Sequence, residues 1–452
     1  MKIIIAGDGK VGSTLARQLS SEGYDLTLID ENQMTLEKTI EQYDVIGIHG
    51  NCATMQVLRQ AGAADADLLI AATGADEINL LCCMTAHIIN PHLHTIARIR
   101  NPEYMDQVYE MSDAFALSLT FNPEKQAAEE IERLLKYPGF LQRDSFANGR
   151  VQIVELRVDA GSKLNQVALS QLNEIVKCSV LVCTVLRDGT AIAPDGNFVL
   201  REGDRIFVTA PTGNLTTLLK NLGILSRRVK RVILCGGSRI SVYLANQLQK
   251  EGIAVTLVEK RQEKCLELAR QLPKACVIQG DSGNEGLLDS LRLEQCDALV
   301  TLTGLDELNV IVSLFASGRG VPQVITKLGR MENTGIVNSL SLGSIVRPKE
   351  LCCSTIVRYV RAMQNQKGAA VSVHTIADGQ AEAVEFLVDT DTLHCGVPLK
   401  QLKLKKNVLL VSIARGAKSE IPNGDSSFQP GDTVIVVTGR DQRLQQFNDI
   451  FA

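Results

Sequence analysis

The chain has 452 residues, too many for one hydrophobic core, because single cores stop growing at roughly 250 to 300 residues, so we expect three or four domains. Lysine and arginine number 47 against 51 aspartate and glutamate, and aromatic residues make up 4% of the chain with no tryptophan. A nucleic-acid binder of this size would carry a basic surplus and aromatic platforms for bases, so the composition argues against nucleic-acid partners.

The sequence also argues against a membrane span and a disulfide framework. No run of about 18 apolar residues occurs, and the first apolar run ends at Gly7, too early for a signal-peptide core. The 12 cysteines fall singly or as the adjacent pairs Cys82-Cys83 and Cys352-Cys353, without a metal-ligand spacing. We interpret them as reduced, mostly buried thiols of a cytosolic protein and expect no metal site.

In chain order, the first segment alternates short β-rich runs (2–6, 25–29, 45–48, 67–71, 94–98 and 114–118) with helical stretches such as 12–22 and 76–89. Alternation of this kind predicts a Rossmann-like α/β domain, with a parallel sheet between helices. Residues 122–136 then predict an amphipathic helix. From about Arg150 the pattern changes to strands near 151–158 and 179–186 separated by turns, which predicts a small α+β domain.

The whole segment is then repeated in the second half of the chain. Gly7 maps onto Gly236 and Asp30 onto Glu259 by one shift of 229 residues (236 − 7 and 259 − 30), and residues 67–79 match 297–309 after one further residue. We therefore predict two tandem Rossmann-like parallel-sheet domains, each followed by a small α+β domain. The predicted bounds are 1–140, 145–225, 229–366 and 369–452.

The strongest chemical signal is Gly7-Asp8-Gly9-Lys10-Val11-Gly12, which follows a β-rich run and opens a helix, with Asp30 ending the next run. Gly7 permits a tight turn, Gly9 lets a pyrophosphate approach the backbone, and Gly12 lets helix and strand pack closely. The helix N-terminus offers N–H groups to the anion, and Asp30 can accept ribose hydroxyls while repelling a 2′-phosphate. The motif predicts a site that prefers NAD(H) to NADP(H). The alternative is a Rossmann-like domain without a ligand.

The second copy departs from this motif. It reads Gly236-Gly237-Ser238-Arg239-Ile240-Ser241, with serines at the second and third glycine positions. Ser238 adds a side chain where a pyrophosphate would lie, Arg239 aligns with Lys10, and Glu259 keeps the ribose carboxylate. An adenine mononucleotide, a weaker ligand and an empty structural domain stay open for this half.

Further candidate residues follow the later β-rich runs, because open α/β sheets bind ligands at the carboxyl ends of their strands. They are Asn51, Thr73, Gly74 and Arg98 in the first half, and Asp281, Ser282, Thr303, Gly304 and Lys327 in the second. Arg98 and Lys327 are candidates to contact phosphate, with ordinary surface charge as the alternative.

The segments AGDGKVG, LID ending at Asp30, HGN, AATGADEINLL and ARIRNPEY, followed by a small β-rich domain and the same unit again, resemble TrkA-type proteins. Those proteins consist of paired regulator-of-potassium-conductance (RCK) domains, and the resemblance covers nearly the whole chain. It implies a non-enzymatic regulatory subunit, peripheral on the cytoplasmic face of the membrane, that gates a membrane-embedded potassium transporter. It also implies a homo-oligomeric ring, dimer or tetramer, that responds to NAD(H), with ATP or ADP as further ligands.

Carried over position by position, the resemblance implies that the dinucleotide contacts Gly7 to Val11, Asp30, Asn51, Cys52, Thr73, Gly74 and Arg98. Family members commonly have aspartate where this chain has Asn51, so the pattern departs there. Two amphipathic helices follow the Rossmann-like segments, and we expect a monomer to expose their apolar faces and a ring to bury them. These faces consist of Ile131, Leu134 and Leu135, and of Ile356, Val357 and Val360.

An NAD-dependent oxidoreductase is the alternative function, because a Rossmann site is also half of such an enzyme. Hydride transfer needs a proton donor or acceptor, commonly His, Lys or Tyr, beside the substrate carbon. Residues 151–222, where a substrate would sit, contain no His and no Tyr, and His92 and His94 resemble loop and strand-edge residues. We therefore favour regulatory binding over catalysis.

Overall fold

The computed structural model describes residues 1–137, 140–211, 214–223, 229–329, 340, 342–363, 370–439, 442, 444 and 446–452. They form two compact units, Met1–Ala127 with Arg347–Val360, and Ala128–Val346 with Arg361–Ala452. The predicted domain ends at 225 and 366 and the predicted start at 369 lie outside the described residues.

The first unit contains a parallel six-stranded sheet. Its strands are β1 (Lys2–Ala6), β2 (Asp25–Asp30), β3 (Ile46–His49), β4 (Leu68–Ala71), β5 (His94–Arg98) and β6 (Leu119–Phe121), in the order β3-β2-β1-β4-β5-β6. The connecting helices are α1 (Lys10–Ser21), α2 (Gln33–Gln42), α3 (Met55–Gln60), α4 (Asp76–Ile89) and α5 (Pro102–Glu110). Strand β4 is apolar and buried throughout, as expected where helices cover both faces. The strand order reverses between β1 and β4, where doubly wound sheets bind ligands.

Helix α6 (Pro123–Lys136) leads into the first small domain. Its antiparallel sheet comprises β7 (Gln142–Phe146), β8 (Val151–Arg157), β9 (Leu181–Arg187), β10 (Thr190–Ile192) and β11 (Arg205–Thr209), in the order β10-β9-β11-β8-β7. Two helices, α7 (Leu172–Val176) and α8 (Asn214–Leu222), pack against it through a separate apolar cluster. The predicted change to α+β architecture is therefore confirmed.

The second half repeats both architectures. Strands β12 (Arg231–Cys235), β13 (Ala254–Glu259), β14 (Cys276–Gln279), β15 (Ala298–Thr301), β16 (Gln323–Lys327) and β17 (Ser344–Val346) form a parallel sheet in the order β14-β13-β12-β15-β16-β17. Its helices are α9 (Arg239–Lys250), α10 (Gln262–Gln271), α11 (Glu285–Ser290) and α12 (Asp306–Gly318). After α13 (Pro348–Met363), strands β18 (Ala370–Ile376), β19 (Ala381–Leu387), β20 (Val408–Arg415), β21 (Lys418–Glu420) and β22 (Thr433–Gly439) form an antiparallel sheet.

Within the second unit, the two small domains share one apolar core. Phe146 and Phe207 of the first belong to the same buried cluster as Ile435 and Val437 of the second. Polar contacts accompany this core, since the backbone N–H of Ala147 donates to Glu385 Oε1 at 3.0 Å. The two small domains therefore form a single folded body rather than independent modules.

The helices that follow the two Rossmann sheets are exchanged. Helix α6 ends in the second unit, where Gln323 Nε2 donates to Leu134 O at 2.7 Å. Helix α13 lies mostly in the first unit, where Cys353 Sγ donates to Val11 O at 3.8 Å. Each Rossmann sheet thus packs with a helix that follows the other in sequence.

The expectation that a monomer exposes the apolar faces of these two helices is wrong, because the exchange buries them. The exposed fraction is at most 6% for every one of the six residues, Ile131, Leu134, Leu135, Ile356, Val357 and Val360. Each apolar face is already packed within the chain. It could form a subunit interface only if the helix left its present partner.

One strand prediction is also wrong. Residues 114–118 do not form a strand, because Ala116 adopts a left-handed backbone with φ of 54° and the backbone N–H of Leu117 donates to Ser112 O at 2.9 Å. These features close a turn after α5, and the sixth strand starts only at Leu119, pairing with Ile96.

Candidate nucleotide-binding sites

Two of the three glycines in the first-half turn are packed too tightly for any residue with a Cβ, and the third is not. Gly7 has φ of 101°, and a Cβ there would lie 2.9 Å from Thr73 N. A Cβ at Gly12 would lie 1.8 Å from Gly7 O, so α1 touches the turn itself. At Gly9 nothing lies within 4 Å of the position of a Cβ, so this side of the turn is open. This is the division of roles that the motif predicts.

The N-terminus of α1 is open to an anion. Gly9 is the N-cap residue, with extended backbone, and it supplies no side-chain cap to the helix. The amides at the start of a helix lack partners within the helix and carry its positive dipole end. Gly9 and Lys10 are exposed in this turn and Val11 is buried, so an anion that reaches the turn would also meet the Lys10 cation.

Asp30 is fixed at the end of β2 by the backbone around it. Its Oδ2 accepts the N–H of Asp8 at 2.6 Å and its Oδ1 accepts the N–H of Asn32 at 2.7 Å. Each carboxylate oxygen can accept more than one hydrogen bond, so both keep capacity for a ribose hydroxyl. The turn and the carboxylate are therefore held in one fixed arrangement.

Asp8 is a buried carboxyl within the turn. Thr39 of α2 donates to its Oδ2 at 2.7 Å, while Oδ1 has no partner among the described residues. Burial raises the pKa of Asp8 to about 6, the hydrogen bond from Thr39 lowers it, and the charge of nearby Asp30 raises it. The sequence placed Asp8 in the site but gave no sign that Thr39 contacts it.

The ends of β4 and β5 form the other side of the site and are joined by a buried amide. Asn79 of α4 accepts the N–H of Thr73 through Oδ1 at 2.8 Å and donates through Nδ2 to Arg98 O at 2.9 Å. Gly74 follows Thr73 and is exposed. Sequence reasoning missed the role of Asn79, although a polar residue at the same place in both copies of an apolar helix was a usable signal.

Arg98 lies mostly buried beside this opening. Its nearest carboxylate is Glu124 of α6, at 4.0 Å, and its Nε has no hydrogen-bond partner among the described residues. Burial lowers the pKa of Arg98, and the neighbouring Arg100 lowers it further. A buried guanidinium with unused hydrogen-bonding capacity is suited to an anionic ligand.

Two predicted residues after β3 have different surroundings. Asn51 is exposed, and its Oδ1 accepts the N–H of Ala53 at 2.9 Å, which closes a local turn. Cys52 is buried, and hydrogen bonding with the Cys82 thiol lowers the pKa of Cys52 while burial opposes this. The strand ends bring Asn51 to the same edge of the sheet as Asp30, because Asp30 pairs with His49.

The second half places its candidates at the same edge of its own sheet. Gly236, Gly237, Ser238, Arg239 and Ile240 form the turn and the start of α9, and Glu259 ends β13. The others follow later strands, Asp281 and Ser282 after β14, Thr303 and Gly304 after β15, and Lys327 at the end of β16.

Several polar groups of the second half contact other groups of the same half. Ser238 caps α9, and Lys260 Nζ lies 2.8 Å from Asp281 Oδ2. Lys327 Nζ donates to the carbonyl oxygen of Thr303. The two halves therefore share positions but differ in how many of these groups stay available.

No cluster of three or more His, Cys, Asp or Glu side chains in the described ranges is placed to hold a metal ion. Within the same ranges, no helix is long and apolar enough to cross a membrane.

Comparison with known proteins identifies four family domains in tandem. The TrkA-N domain model matches residues 3–117 and 232–348, and the TrkA-C domain model matches residues 153–223 and 383–452. The Trk system potassium uptake protein TrkA of Haemophilus influenzae is 31% identical over 461 residues, covering 100% of this chain and 98% of that protein.

Solved structures show the same fold at low identity. The GsuK channel bound to NAD matches with a TM-score of 0.61 and 15% identity, over 97% of this chain and 77% of that one. The structure of GsuK bound to ADP matches with a TM-score of 0.50 and 12% identity, over 80% of this chain and 69% of that one. From the family models and the full-length relative, the chain belongs to the TrkA family of potassium uptake proteins, built from tandem TrkA-N and TrkA-C domains.

Proposed function

We propose that this chain is a nucleotide-binding regulatory subunit that gates a membrane-embedded potassium transporter, and that its first Rossmann domain binds NAD(H). The observation that carries the ligand assignment is the open, uncapped glycine turn at Gly9 with the fixed carboxylate of Asp30 beside it. The peptide groups of the turn would bind the pyrophosphate, Asp30 the ribose hydroxyls, and Arg98 a phosphate oxygen. A neighbouring fold whose structure contains NAD supports the same assignment.

ATP or ADP is a second candidate ligand of the same site, since an adenine nucleotide shares the ribose and the phosphates that these groups would bind. The structure of GsuK bound to ADP, which has a related fold, supports ADP as a candidate ligand. Competition between NADH and ADP in calorimetry separates one shared site from two independent ones.

The site also favours binding over hydride transfer. His92 and His94 lie before and at the start of β5, whereas the nucleotide groups lie at the carboxyl ends of the strands, on the opposite edge. A general acid must come within hydrogen-bond reach of the reacting group, and neither of these two histidines is at that edge. His49 does end β3 at that edge, where its ring Nε2 lies 3.0 Å from Glu31 O. The oxidoreductase alternative makes its own prediction, which is NADH consumption with a small carbonyl substrate.

For assembly we propose that the exposed faces of α4 and α12 contact a second copy of the chain. Leu81 of α4 is 49% exposed and Ile311 of α12 is 62% exposed, and they occupy matching positions of the two copies (311 − 81 = 230). Ile88 and Leu305 extend these faces. Apolar residues exposed at the same place in both halves suit a closed ring, in which equivalent surfaces pair by symmetry.

The decisive experiment combines ligand identification with transport. Nucleotide released from the purified chain by mild denaturation is identified by mass spectrometry, and potassium flux is then measured in vesicles containing the transporter with and without that nucleotide. We expect flux to change while the nucleotide is not consumed. Flux that is indifferent to every nucleotide, or turnover of NADH, contradicts the regulatory model.

A further inference from the structure

The turn of the second Rossmann domain contains a closed network of side-chain hydrogen bonds that the first lacks. Ser238 Oγ accepts the N–H of Ser241 at 3.3 Å, and Ser241 Oγ accepts the N–H of Ser238 at 3.2 Å. The two hydroxyls lie 3.0 Å apart, and Ser241 Oγ also donates to the carbonyl oxygen of Gly236. Two amides of the turn and first helical turn are therefore occupied by the protein's own side chains.

Both amides belong to the turn and the helix N-terminus, the region where a pyrophosphate would bind. In the first domain the corresponding residues are Gly9 and Gly12, and neither has a side chain that could cap the helix. A reciprocal serine cap satisfies the start of a helix without a ligand. A phosphate entering the second turn would have to break this cap and displace the Ser238 side chain, so part of its binding free energy would be lost.

Two side chains beside the second turn differ in their contacts from their counterparts in the first half. Glu259 makes the same two backbone contacts as Asp30, since its Oε2 accepts the N–H of Gly237 at 3.0 Å and its Oε1 accepts the N–H of Arg261 at 2.9 Å, but the Arg261 guanidinium also lies 3.4 Å from Oε1. Partial burial opposes ionisation of Glu259, but these contacts outweigh it and lower its pKa. Lys327, which aligns with the partly unsatisfied Arg98, donates to Thr303 O.

We propose that Ser238 and Ser241 are specificity-determining residues that close the second Rossmann domain to a nucleotide pyrophosphate, so that each chain binds one NAD(H), in its first half. This inference rests on one part of the proposed function, which is that the first Rossmann domain binds NAD(H). The second domain then keeps the fold of a nucleotide site while its own side chains occupy the ligand's hydrogen-bonding positions.

Isothermal titration of the full chain with NADH tests the inference through stoichiometry. We expect one NADH per chain in the unmodified protein, weaker binding at that one site in Asp30→Ala, and two NADH per chain in the double variant Ser238→Gly with Ser241→Gly. Thermal denaturation shows whether the double variant is folded. Two NADH per unmodified chain overturns the inference but leaves the proposed function intact, whereas no NADH overturns the proposed function itself.

A reciprocal variant keeps the test decisive if the glycine variant does not fold. Gly9→Ser installs a serine in the first turn where Gly9 has open space around it, and Gly12 is left unchanged because a Cβ there would lie 1.8 Å from Gly7 O. If the serine cap excludes pyrophosphate, NADH affinity should fall roughly 10- to 150-fold, the range expected for losing one charge-assisted hydrogen bond. A folded Ser238→Gly, Ser241→Gly protein that still binds one NADH, or a folded reciprocal variant with unchanged affinity, refutes the role of the serines.

Discussion

Replacing Asp8 by asparagine should stabilise the first Rossmann domain at neutral pH. Asparagine keeps an oxygen that can accept the Thr39 hydroxyl, which donates to Asp8 at 2.7 Å, but it removes the ionisable group. It also removes the repulsion from Asp30, whose carboxylate accepts the N–H of residue 8. The change therefore isolates the cost of a buried negative charge in the turn.

The magnitude follows from the pKa of Asp8, which is raised from 3.8 to about 6 in the folded chain. Because the folded pKa lies above the unfolded value, the fold favours the protonated form, and stability is lost as pH rises from about 4 to about 6. Each pKa unit corresponds to about 1.4 kcal/mol, so the full penalty is about 3 kcal/mol above pH 6 and roughly half of that at pH 5. Asp8→Asn should recover that amount.

Scanning calorimetry of both proteins between pH 5 and pH 8 measures the difference. The transition of the first domain is the one that NADH shifts to higher temperature, and about 3 kcal/mol corresponds to roughly 6–12 °C for a domain of this size. Asp25→Asn, at an exposed position of β2, controls for the loss of one negative charge. A difference between Asp8→Asn and the unmodified chain that does not grow between pH 5 and pH 7 would show that the fold does not raise the pKa of Asp8.

Three further predictions concern the ligand and the assembly. Asp30→Ala should weaken NADH binding roughly tenfold or more in calorimetry, and NADPH should bind the unmodified chain more weakly than NADH; equal affinities would contradict this role for Asp30. Arg98→Gln should weaken NADH binding about tenfold, while the exposed Arg59→Gln should leave it unchanged; parallel behaviour of the two would remove Arg98 from the site. Leu81→Glu with Ile311→Glu should convert a dimer or tetramer to a monomer in light scattering, and an unchanged mass would exclude these faces from the interface.

Much of the architecture could be predicted from the sequence because local pattern determines it. Buried parallel strands such as β1 and β4 consist of short apolar runs, and Gly7 and Gly12 stand where only a glycine permits the approach of helix and turn. The internal repeat then extends the assignment of one half to the other. The sequence predicts a helix over residues 76–89, and helix α4 spans the same residues.

Features that depend on long-range packing could not be predicted in this way. Periodicity shows that α6 and α13 each have an apolar face, but it does not show which sheet that face packs against. Residues 114–118 have the composition of a strand, yet the left-handed backbone at Ala116 closes a turn there. Thr39 gave no signal either, since its contact with Asp8 joins residues that lie 31 apart in sequence.

The duplication within the chain separates residues that serve the fold from those that serve the ligand. Asn79 and Asn309 make the same contacts, accepting the N–H of a threonine at 2.8 and 3.0 Å and donating to the end of the next strand at 2.9 and 3.0 Å. A buried amide kept with the same partners in both halves is explained by the geometry of the sheet, because each copy must satisfy the same strand ends. The turn differs, since glycine at position 9 is replaced by Ser238 in the second copy, with a hydroxyl where the first copy is open. A changed ligand-facing turn, on a framework whose Asn79 and Asn309 hydrogen bonds are retained, is what loss of a ligand from one half would leave behind.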